Sequence, residues 1–575
     1  MKQLAFLVAV AAGFLVARPL PPAVTMANQL MAILGWGLVM LAAPTPALRA
    51  STWRAAAPLL VVYGIMAGAC LASILSGGLP SPPGNGILGI ILIAGAVTLH
   101  GTCAGASDPL GFFRPYAIAL VVAGLGGAVI AVMQMYAVPW VDNVIVTLSS
   151  LRGRASGNVG QSNQFADSML WGLIALVALS HGARTRLART AWVPAGALML
   201  FGIVLTGSRT GLLALLFTAV WGLADRNLDK RLRVGLCVAP FVALLMLAAV
   251  AAWGSSGHGS INPLDRGDAG ITAFRSEIWK NCVALIREQP WLGVGWGQFN
   301  FAWSLTPFAE RGAGLVDNAH DLALHLAVEL GLPLALLIMA ILVVAPLRAL
   351  GRLWHVPGQV GVAGRAAVMI VVVIGLHSMT EYPLWYSYML LPATWACGLA
   401  LGAASRAREF AADAADTAEP AAIAAPLRAW RVLGLMMVVL AGSAWMDYSN
   451  VASVYLVKSG TPEFEERLQA AHRSPLYANM ADYLDVTQHV ARPESLPMLE
   501  RSAHVLVNSR LLYAWSNLLQ VQGQTDKARY LAARMREFKL PGAMQWFDVC
   551  SDPAVTVKPF QCLPPEHPVT WRDFR

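Results

Sequence analysis

The chain has 575 residues, of which 57% are hydrophobic and only 13% are charged. That charged share is roughly half of the usual one, so the composition excludes a series of water-soluble domains and predicts a protein whose surface lies mostly in lipid. The net charge of +9 comes with no basic block and no RNA-binding or zinc-binding spacing, so nucleic acid is not a predicted partner. The seven cysteines include no Cys-x-x-Cys pair that would indicate a metal or redox site.

Apolar runs of about 20 residues, the length that crosses a bilayer, recur through most of the chain. They predict about thirteen membrane-spanning helices, at 4–18, 24–43, 57–76, 86–102, 115–137, 164–181, 191–207, 209–224, 233–253, 322–346, 366–381, 387–404 and 429–447. The first run follows Lys2 as a signal peptide would, but it passes almost directly into the second run without a clean cleavage site. It is therefore predicted to be a retained helix.

The distribution of basic residues predicts the orientation of these helices. With the N-terminus in the cytoplasm, every cytoplasmic connection carries Arg or Lys and the short loops on the other side carry few, as the positive-inside rule requires. Two hydrophilic segments then lie outside the cytoplasm, a loop at about 254–321 and a tail at 448–575. We therefore predict an all-α membrane domain over 1–447 and a helical exported domain over 448–575.

The exported tail shows a helical pattern. The apolar run Leu511–Leu519 is followed by a turn at Gly523 and the Ala-rich run Ala528–Ala533. Either one tetratricopeptide-type unit or a generic helical hairpin explains this pattern. Cys550 and Cys562 lie on the exported side, where a disulfide is chemically allowed, and both a disulfide and two free thiols remain open.

Four polar clusters fall at the exported ends of the spans, where polar groups must be paired or line a cavity. The first, Gly157–Gln164, offers the side-chain amides of Gln161, Asn163 and Gln164 before the sixth span. It is either a functional loop or a polar helix start with Asn163 as its N-cap.

The second cluster, Thr206–Gly211, places Arg209 in a short turn between two spans. An arginine is unusual on this side of the membrane, and its guanidinium suits bidentate binding of phosphate oxygens. The alternative is an interfacial anchor that reaches the lipid headgroups. We favour phosphate binding.

The third cluster lies in the long loop. Phe274–Asn281 predicts a helix with one largely apolar face, formed by Ile278, Trp279, Cys282 and Ile286. Arg275 on this helix either binds phosphate or pairs with Glu277 or Asp268. The glycine-rich stretch Gln289–Gln298 then predicts a compact loop against the membrane surface.

The fourth cluster, Asp317–Leu322, opens the tenth span with Asn318 as its candidate N-cap. His320 stands at the boundary between water and membrane, where a neutral imidazole can accept a proton at physiological pH. Either Asp317 or Asp321 can orient it. The alternative is a polar histidine that only begins a helix.

The turn between the eleventh and twelfth spans is rich in aromatic residues. Interfacial aromatics are routine, but His377, Glu381 and Tyr382 add ionisable groups to this belt. We therefore include Glu381 and Tyr382 among the candidate site residues.

In this order, these elements resemble the O-antigen ligase and polymerase superfamily of bacterial inner-membrane glycosyltransferases. The matching stretches are Gly157–Gln161, Thr206–Gly211, Arg275 with Trp279, Pro290–Gly297, Asn318–His320 and Leu322–Gly331. Glu381–Tyr386 and the long helical tail resemble the protein O-oligosaccharyltransferase branch, which glycosylates pilins and other exported proteins. One departure is Asp321, which stands where the family often has Asn.

The resemblance implies a GT-C-like fold with a periplasmic loop over a lateral cavity, in the bacterial inner membrane. It implies an oligosaccharide on undecaprenyl pyrophosphate as donor and an exported, pilin-like protein as acceptor, at the periplasmic face. His320 would be the general base, and Arg209 and Arg275 would hold the pyrophosphate. The further substrate-binding residues would be Gln161, Asn163, Gln164, Tyr382, Glu381 and Asp317. No cofactor is expected, and because the exported face has no DxD-type carboxylate pair, a metal-free mechanism is expected. Direct attack of a Ser or Thr hydroxyl on the anomeric carbon is expected to invert its configuration.

Two related enzymes share this chemistry and differ only in the acceptor: a ligase that attaches O-antigen to lipid A core, and a polymerase that extends glycan on its lipid carrier. A transporter or flippase is the alternative from another class. Transporters often show internal repeats and polar groups at the bilayer midplane, and the sequence shows neither. An oligosaccharyltransferase is therefore the preferred interpretation.

Overall fold

The computed structural model describes residues 1–45, 48–136, 138–149, 153–255, 269–311, 316–413, 422–423, 427–489 and 492–575. Asp268, a candidate partner of Arg275, lies outside these residues. Within them the fold is all-α, as predicted. The described β-structure consists of one two-residue antiparallel ladder, Leu48–Arg49 with Ala422–Ile423, and an isolated bridge between Val141 and Val146.

The described helices follow one another through most of the chain. The first half contains α1 (Lys2–Leu15, π-helical over Leu7–Ala12), α2 (Met26–Ala42), α3 (Ala50–Leu75), α4 (Ser81–Ser107), α5 (Pro109–Met135), α6 (Ser162–Ser180), α7 (Arg186–Thr190), α8 (Trp192–Thr206), α9 (Arg209–Ala224), α10 (Lys230–Ser255), α11 (Ala269–Glu288) and α12 (Phe299–Leu305). The second half contains α13 (Leu322–Leu353), α14 (Gly358–Ser378), α15 (Ser387–Asp413), α16 (Leu427–Val454), α17 (Pro462–Ala471), α18 (Ala478–Gln488), α19 (Leu496–Ala503), α20 (Ser509–Val521), α21 (Thr525–Glu537), α22 (Pro541–Met544) and α23 (Asp548–Ser551). Short 3-10 turns lie at Pro383–Trp385, Pro493–Ser495, Gln545–Phe547, Phe560–Cys562 and Trp571–Phe574.

Among the described residues, eight helices are long and apolar enough to cross a membrane, namely α3, α4, α5, α10, α13, α14, α15 and α16. Four shorter apolar helices, α1, α2, α8 and α9, lie at other predicted spans, and α6 lies at the sixth. The chain is thus a multi-pass membrane protein, and every predicted span coincides with a helix. The number of crossings stays a prediction.

The chain divides into two compact units, and the first comprises residues 1–63, 92–266 and 340–445. Within it, α4 and α15 approach closely because glycines face the neighbouring backbone. A Cβ atom at Gly105 would clash with the Leu399 carbonyl, and one at Gly402 with the Thr102 carbonyl. Small residues of this kind are typical of packed membrane helices, whose association depends on close backbone contact.

An aromatic cluster holds α1, α2, α5 and α15 together in the same unit. The ring of Trp395 lies 4.6 Å from that of Tyr116 and 5.2 Å from that of Phe6, and Phe6 also meets Trp36 edge-on at 5.9 Å. All four side chains are fully buried. Large rings at such distances combine apolar burial with favourable edge-to-face contacts.

A buried ion pair connects α14 to the end of α9. The Arg365 Nε atom donates to Asp225 Oδ2 at 2.6 Å, and the other branch of the guanidinium donates to the carbonyls of Leu353 and Val356. Trp221 Nε1 donates to the same carboxylate at 3.1 Å. Both charged side chains are almost completely buried, so the attraction between them must compensate for the hydration that each has lost.

Arg365→Met is expected to destabilise the membrane unit by about 3–5 kcal/mol, because the buried Asp225 carboxylate would lose its counter-charge. Arg352→Met is the matched control, since Arg352 on α13 is exposed. We expect a large loss of detergent-extractable, monodisperse protein for the first variant alone. Equal yields and equal unfolding temperatures would contradict a stabilising ion pair.

The second unit comprises residues 64–91, 267–339 and 446–575, so the long loop and the tail, both predicted to be exported, fold together. Tyr530 in α21 donates to the Leu305 carbonyl at 2.6 Å, and the Val507 amide donates to Asn300 Oδ1 at 2.6 Å. Arg572 near the end of the tail pairs with Glu288 at 2.7 Å. These bonds fix α11 and α12 against the tail helices.

The helical pattern predicted for the tail is confirmed. Helices α20 and α21 form a hairpin around Gly523, whose φ of 76° lies in the left-handed region that favours glycine. Cys550 and Cys562 form a disulfide, with Cα atoms 5.3 Å apart, which decides between the two alternatives left open. Closing a loop of this length stabilises a fold by about 3 kcal/mol in the chain-entropy model.

A histidine network predicts a pH dependence for the tail. Hydrogen bonds from His472 to Asp482 and Asp485, each 3.0 Å long, raise the pKa of His472 to about 9. The same carboxylates also bind Arg501 and His489. Because its ordinary pKa is near 6.5, the stabilisation from His472 is complete below pH 6.5 and is lost as the pH rises through about 9.

Thermal unfolding of the purified protein at about pH 6, 8 and 10 tests this dependence, because these values bracket the ordinary and the raised pKa of His472. We expect the unfolding temperature to fall by a few degrees across the window, and His472→Gln to flatten the profile. An unchanged slope in His472→Gln would assign the effect to other groups.

Candidate active site

The turn between α8 and α9 is fixed by backbone geometry and a helix cap. Gly207 follows α8 with a φ of 58°, a left-handed conformation that favours glycine. The Ser208 hydroxyl caps α9 by accepting a hydrogen bond from the Gly211 amide at 3.0 Å, as serine often does at helix starts. Arg209 is therefore the first residue of α9, and its side chain is exposed.

The placement of Arg209 favours an anion beside it. The start of a helix carries partial positive charge, which attracts anions and disfavours a cationic side chain. Among the described residues, the Arg209 guanidinium has no hydrogen-bond or ion-pair partner. An exposed guanidinium at a helix start suits phosphate oxygens, because both the side chain and the helix end attract negative charge.

Asn163 joins three of the predicted stretches. Its Oδ1 atom accepts from the Ser208 hydroxyl at 2.7 Å, and its Nδ2 atom donates to Glu381 Oε1 at 3.4 Å. Thr210 and Thr380 also share a hydrogen bond of 3.2 Å. The first cluster, the Arg209 turn and the Glu381 turn thus meet at one place in the first unit.

The other amides of the first cluster have mostly structural partners. Gln161 caps α6 by accepting from the Gln164 amide at 2.7 Å, so Gln161 and not Asn163 is the N-cap. The Gln164 side chain is buried and accepts from the Tyr388 hydroxyl. The Tyr382 ring stacks on Tyr386 at 6.0 Å and is partly exposed.

Sequence reasoning missed the buried pair beneath this site. Asp167 Oδ2 lies 2.6 Å from His377 Nδ1, and both side chains are almost fully buried. Asp167 was not among the candidates, although an ionisable residue inside an apolar span is itself a signal. Ser208 was also missed, because its role as the cap that connects to Asn163 depends on a contact 45 residues away along the chain.

In the second unit, a tight turn holds His320. The Asn318 side chain accepts from the His320 amide at 2.9 Å, and His320 itself has a φ of 50°. A left-handed conformation is uncommon for a residue with a side chain and is found where the surroundings enforce it, often at functional sites. The His320 side chain is partly exposed.

The cap of α13 differs from the prediction. Asp321, not Asn318, accepts from the Leu324 amide, at 2.8 Å, so Asn318 shapes the turn and Asp321 begins the helix. Burial raises the pKa of the Asp321 carboxyl, and backbone hydrogen bonds partly oppose this rise. Asp317 is exposed and accepts from Asn318 Nδ2 at 2.5 Å.

Helix α11 brings the third cluster to the His320 turn. The Trp279 indole donates to the Ala319 carbonyl at 3.0 Å, and the predicted apolar face packs inward, with Ile278 and Cys282 fully buried. Arg275 lies one turn before Trp279 on this helix and is partly exposed. Clusters three and four therefore meet in the second unit.

The described residues contain no group of three or more His, Cys, Asp or Glu side chains arranged to hold a metal ion. Side chains that can bind an anionic ligand include the exposed guanidinium of Arg209 in the first unit and the partly exposed guanidinium of Arg275 in the second.

Two family models match the chain. The O-antigen ligase model matches residues 194–339, a range that includes Arg209, Arg275 and His320. The model for the C-terminal part of a virulence-factor membrane-bound polymerase matches residues 365–539, which include Glu381, Tyr382 and much of the tail.

Two curated proteins of Acinetobacter baylyi are similar to the chain. A general O-oligosaccharyltransferase is 24% identical over 389 residues, which are 62% of this chain and 63% of the relative. A ComP-specific O-oligosaccharyltransferase is 24% identical over 268 residues, 45% of this chain and 46% of the relative. The chain thus matches less than two thirds of either relative. The predicted resemblance to the O-antigen ligase superfamily and its protein-glycosylating branch is confirmed.

Proposed function

We propose that this chain, a relative of the O-antigen ligases and of protein O-oligosaccharyltransferases, transfers an oligosaccharide as one block to exported proteins. The donor is an oligosaccharide on undecaprenyl pyrophosphate, and the acceptor is a Ser or Thr hydroxyl of a protein such as a pilin. The observation that carries the proposal is Arg209, an exposed guanidinium without a partner among the described residues, at the start of a membrane helix. The names of both curated relatives favour protein as the acceptor.

In the proposed reaction, His320 accepts the proton of the acceptor hydroxyl as the hydroxyl oxygen attacks the anomeric carbon. The new carbon–oxygen bond forms as the bond from that carbon to the pyrophosphate breaks, so undecaprenyl pyrophosphate leaves and the anomeric configuration inverts. Arg209 and Arg275 stabilise the negative charge that develops on the leaving group. Fixed guanidiniums supply this charge without a metal ion.

Local contacts support these roles. The left-handed backbone of His320 and the bond from Trp279 to the Ala319 carbonyl define the turn that carries the imidazole, and a base must be positioned to act. The cap at Ser208 likewise fixes the start of the helix that carries Arg209.

The remaining candidate residues are proposed to shape the substrate site. Asn163, Glu381 and Tyr382 line the meeting point of the first-unit clusters, where amide, carboxylate and phenol groups can bind sugar hydroxyls. Gln161 and Gln164 support this surface through the α6 cap and the Tyr388 bond. Asp317, which is exposed beside the His320 turn, is proposed to contact the acceptor. We place the whole site on the periplasmic face of a bacterial inner membrane.

A reconstituted transfer assay tests this function. Purified protein in liposomes is given undecaprenyl-pyrophosphate-linked oligosaccharide together with a pilin-like protein, and in parallel with lipid A core. We expect mass analysis to find intact oligosaccharide on Ser or Thr of the protein. Glycan found only on lipid A core, or only as longer lipid-linked chains, would replace the proposal with a ligase or a polymerase.

A further inference from the structure

Helix α13 is interrupted near its exported end, and the exported loop fills the interruption. Gly331 has φ 77° and ψ 166°, so the helix breaks there. The Val294 and Gly295 amides donate to the carbonyls of Val328 and Glu329 at 2.8 and 3.0 Å. These bonds satisfy backbone groups that the break would otherwise leave unpaired.

The same loop is hydrogen-bonded on both sides of its tip, which is formed by Trp291 and Leu292. The Leu332 amide, just beyond the break, donates to the Pro290 carbonyl at 2.8 Å. The Ser73 hydroxyl of α3 donates to the Trp296 carbonyl at 2.7 Å. The segment from Pro290 to Trp296 is therefore bound to two membrane helices, at the ends that the predicted topology places outside the cytoplasm.

The length of α13 is compatible with a break near the membrane surface. Beyond it, the helix continues from Leu332 to Leu353, roughly 33 Å at 1.5 Å per residue. The hydrocarbon core of a bilayer is about 30 Å thick, so this part alone is long enough to span it. Gly331 and the loop segment bound to it then lie near the outer boundary of the hydrocarbon core, further along the helix than the span start at 322 that hydropathy predicts.

Near this outer boundary of the hydrocarbon core, the loop exposes two large apolar side chains. Trp291 is 73% exposed and Leu292 is 80% exposed, although the loop around them is firmly hydrogen-bonded. The exposed surface of α13 begins beside them with Leu332 and continues with Leu336, which is 66% exposed. Because Leu336 lies in the segment long enough to span the bilayer, the loop tip extends a surface that faces lipid.

We propose that Trp291 and Leu292 insert into the outer leaflet of the membrane and anchor the exported loop at the bilayer surface. Tryptophan favours the interface between headgroups and acyl chains, and each large apolar side chain removed from water stabilises the inserted state. The occupant of this surface is phospholipid. Since only Gln289 separates Pro290 from the end of α11, the anchor also sets the level of the helix that carries Arg275.

A fluorescence experiment tests the anchor. Leu292→Cys is labelled with an environment-sensitive dye in liposomes that contain nitroxide-labelled phospholipid. We expect blue-shifted emission and quenching as strong as for Leu336→Cys on α13. Val557→Cys, 84% exposed in the tail, is the aqueous control. The signal of protein without an added cysteine is subtracted, and Trp291→Cys replaces Leu292→Cys if the latter does not fold.

Emission and quenching equal to those of Val557→Cys would overturn the anchor. A dye that is in water until an exported acceptor protein is added would also overturn it, because the surface would then bind protein. Neither readout depends on glycan transfer, so the anchor can stand or fall separately from the enzymatic proposal.

Discussion

His320→Ala is expected to lower the rate of glycan transfer by about 100- to 10,000-fold, the usual contribution of a general base. Arg209→Ala is expected to lower it by about 100- to 1000-fold, the usual contribution of a fixed group that stabilises developing charge. Neither change removes a buried side chain, so insertion and folding should be unaffected. Single-turnover transfer in liposomes, with the amount of folded protein measured beside it, gives both numbers.

Matched controls separate these roles from general damage. His355→Ala replaces an exposed histidine after α13, and Arg226→Ala replaces an exposed arginine at the other end of the helix that Arg209 begins. Both controls should transfer at the normal rate. Arg209→Lys should recover only part of the activity, because an ammonium group lacks the bidentate geometry. Normal transfer by His320→Ala would remove the proposed base from the mechanism.

Gly331→Ala is expected to have the second largest effect, by displacing the loop from α13. The backbone of Gly331, at φ 77° and ψ 166°, is essentially accessible only to glycine, and another residue there costs on the order of 1–3 kcal/mol. A Cβ atom would also clash with the Trp291 carbonyl. Hydrogen exchange at residues 290–296 should become much faster, and transfer should fall because the loop carries Arg275.

The control for this change lies on the same helix. Gly351 has no atom within 4 Å of an added Cβ, and alanine is the better helix former, so Gly351→Ala should be neutral or slightly stabilising. Unchanged exchange at 290–296 in Gly331→Ala would mean that the loop does not depend on the break.

The positions of the helices were predictable from sequence because a bilayer imposes a length and an apolar composition on each span. The sequence predicted that Gly157–Gln164 and the Arg209 turn lie at the same end of their spans, but not that they contact each other through Asn163 and Ser208. Hydropathy did not reveal that α13 is broken, because Gly331 and Pro333 lie within an apolar run. Glycine and proline so close together are nonetheless a recognised signal for the end of a helix.

Individual contacts in the candidate site were not predictable in the same way. The N-caps at Gln161 and Asp321 were assigned to Asn163 and Asn318, because several residues near each helix start can cap it and only the backbone path selects one. The bond between Asn163 and Glu381 joins residues 218 positions apart. Such pairings depend on how helices pack, which composition and spacing do not specify.

Accessibility of single cysteines in spheroplasts tests most directly whether the three proposed catalytic residues serve one exported site. Cysteine is placed at 209, 275 or 320, and intact spheroplasts are treated with a membrane-impermeant maleimide before lysis. All three positions are expected to be labelled from outside. Labelling of any one of them only after the cytoplasmic side is opened would contradict it.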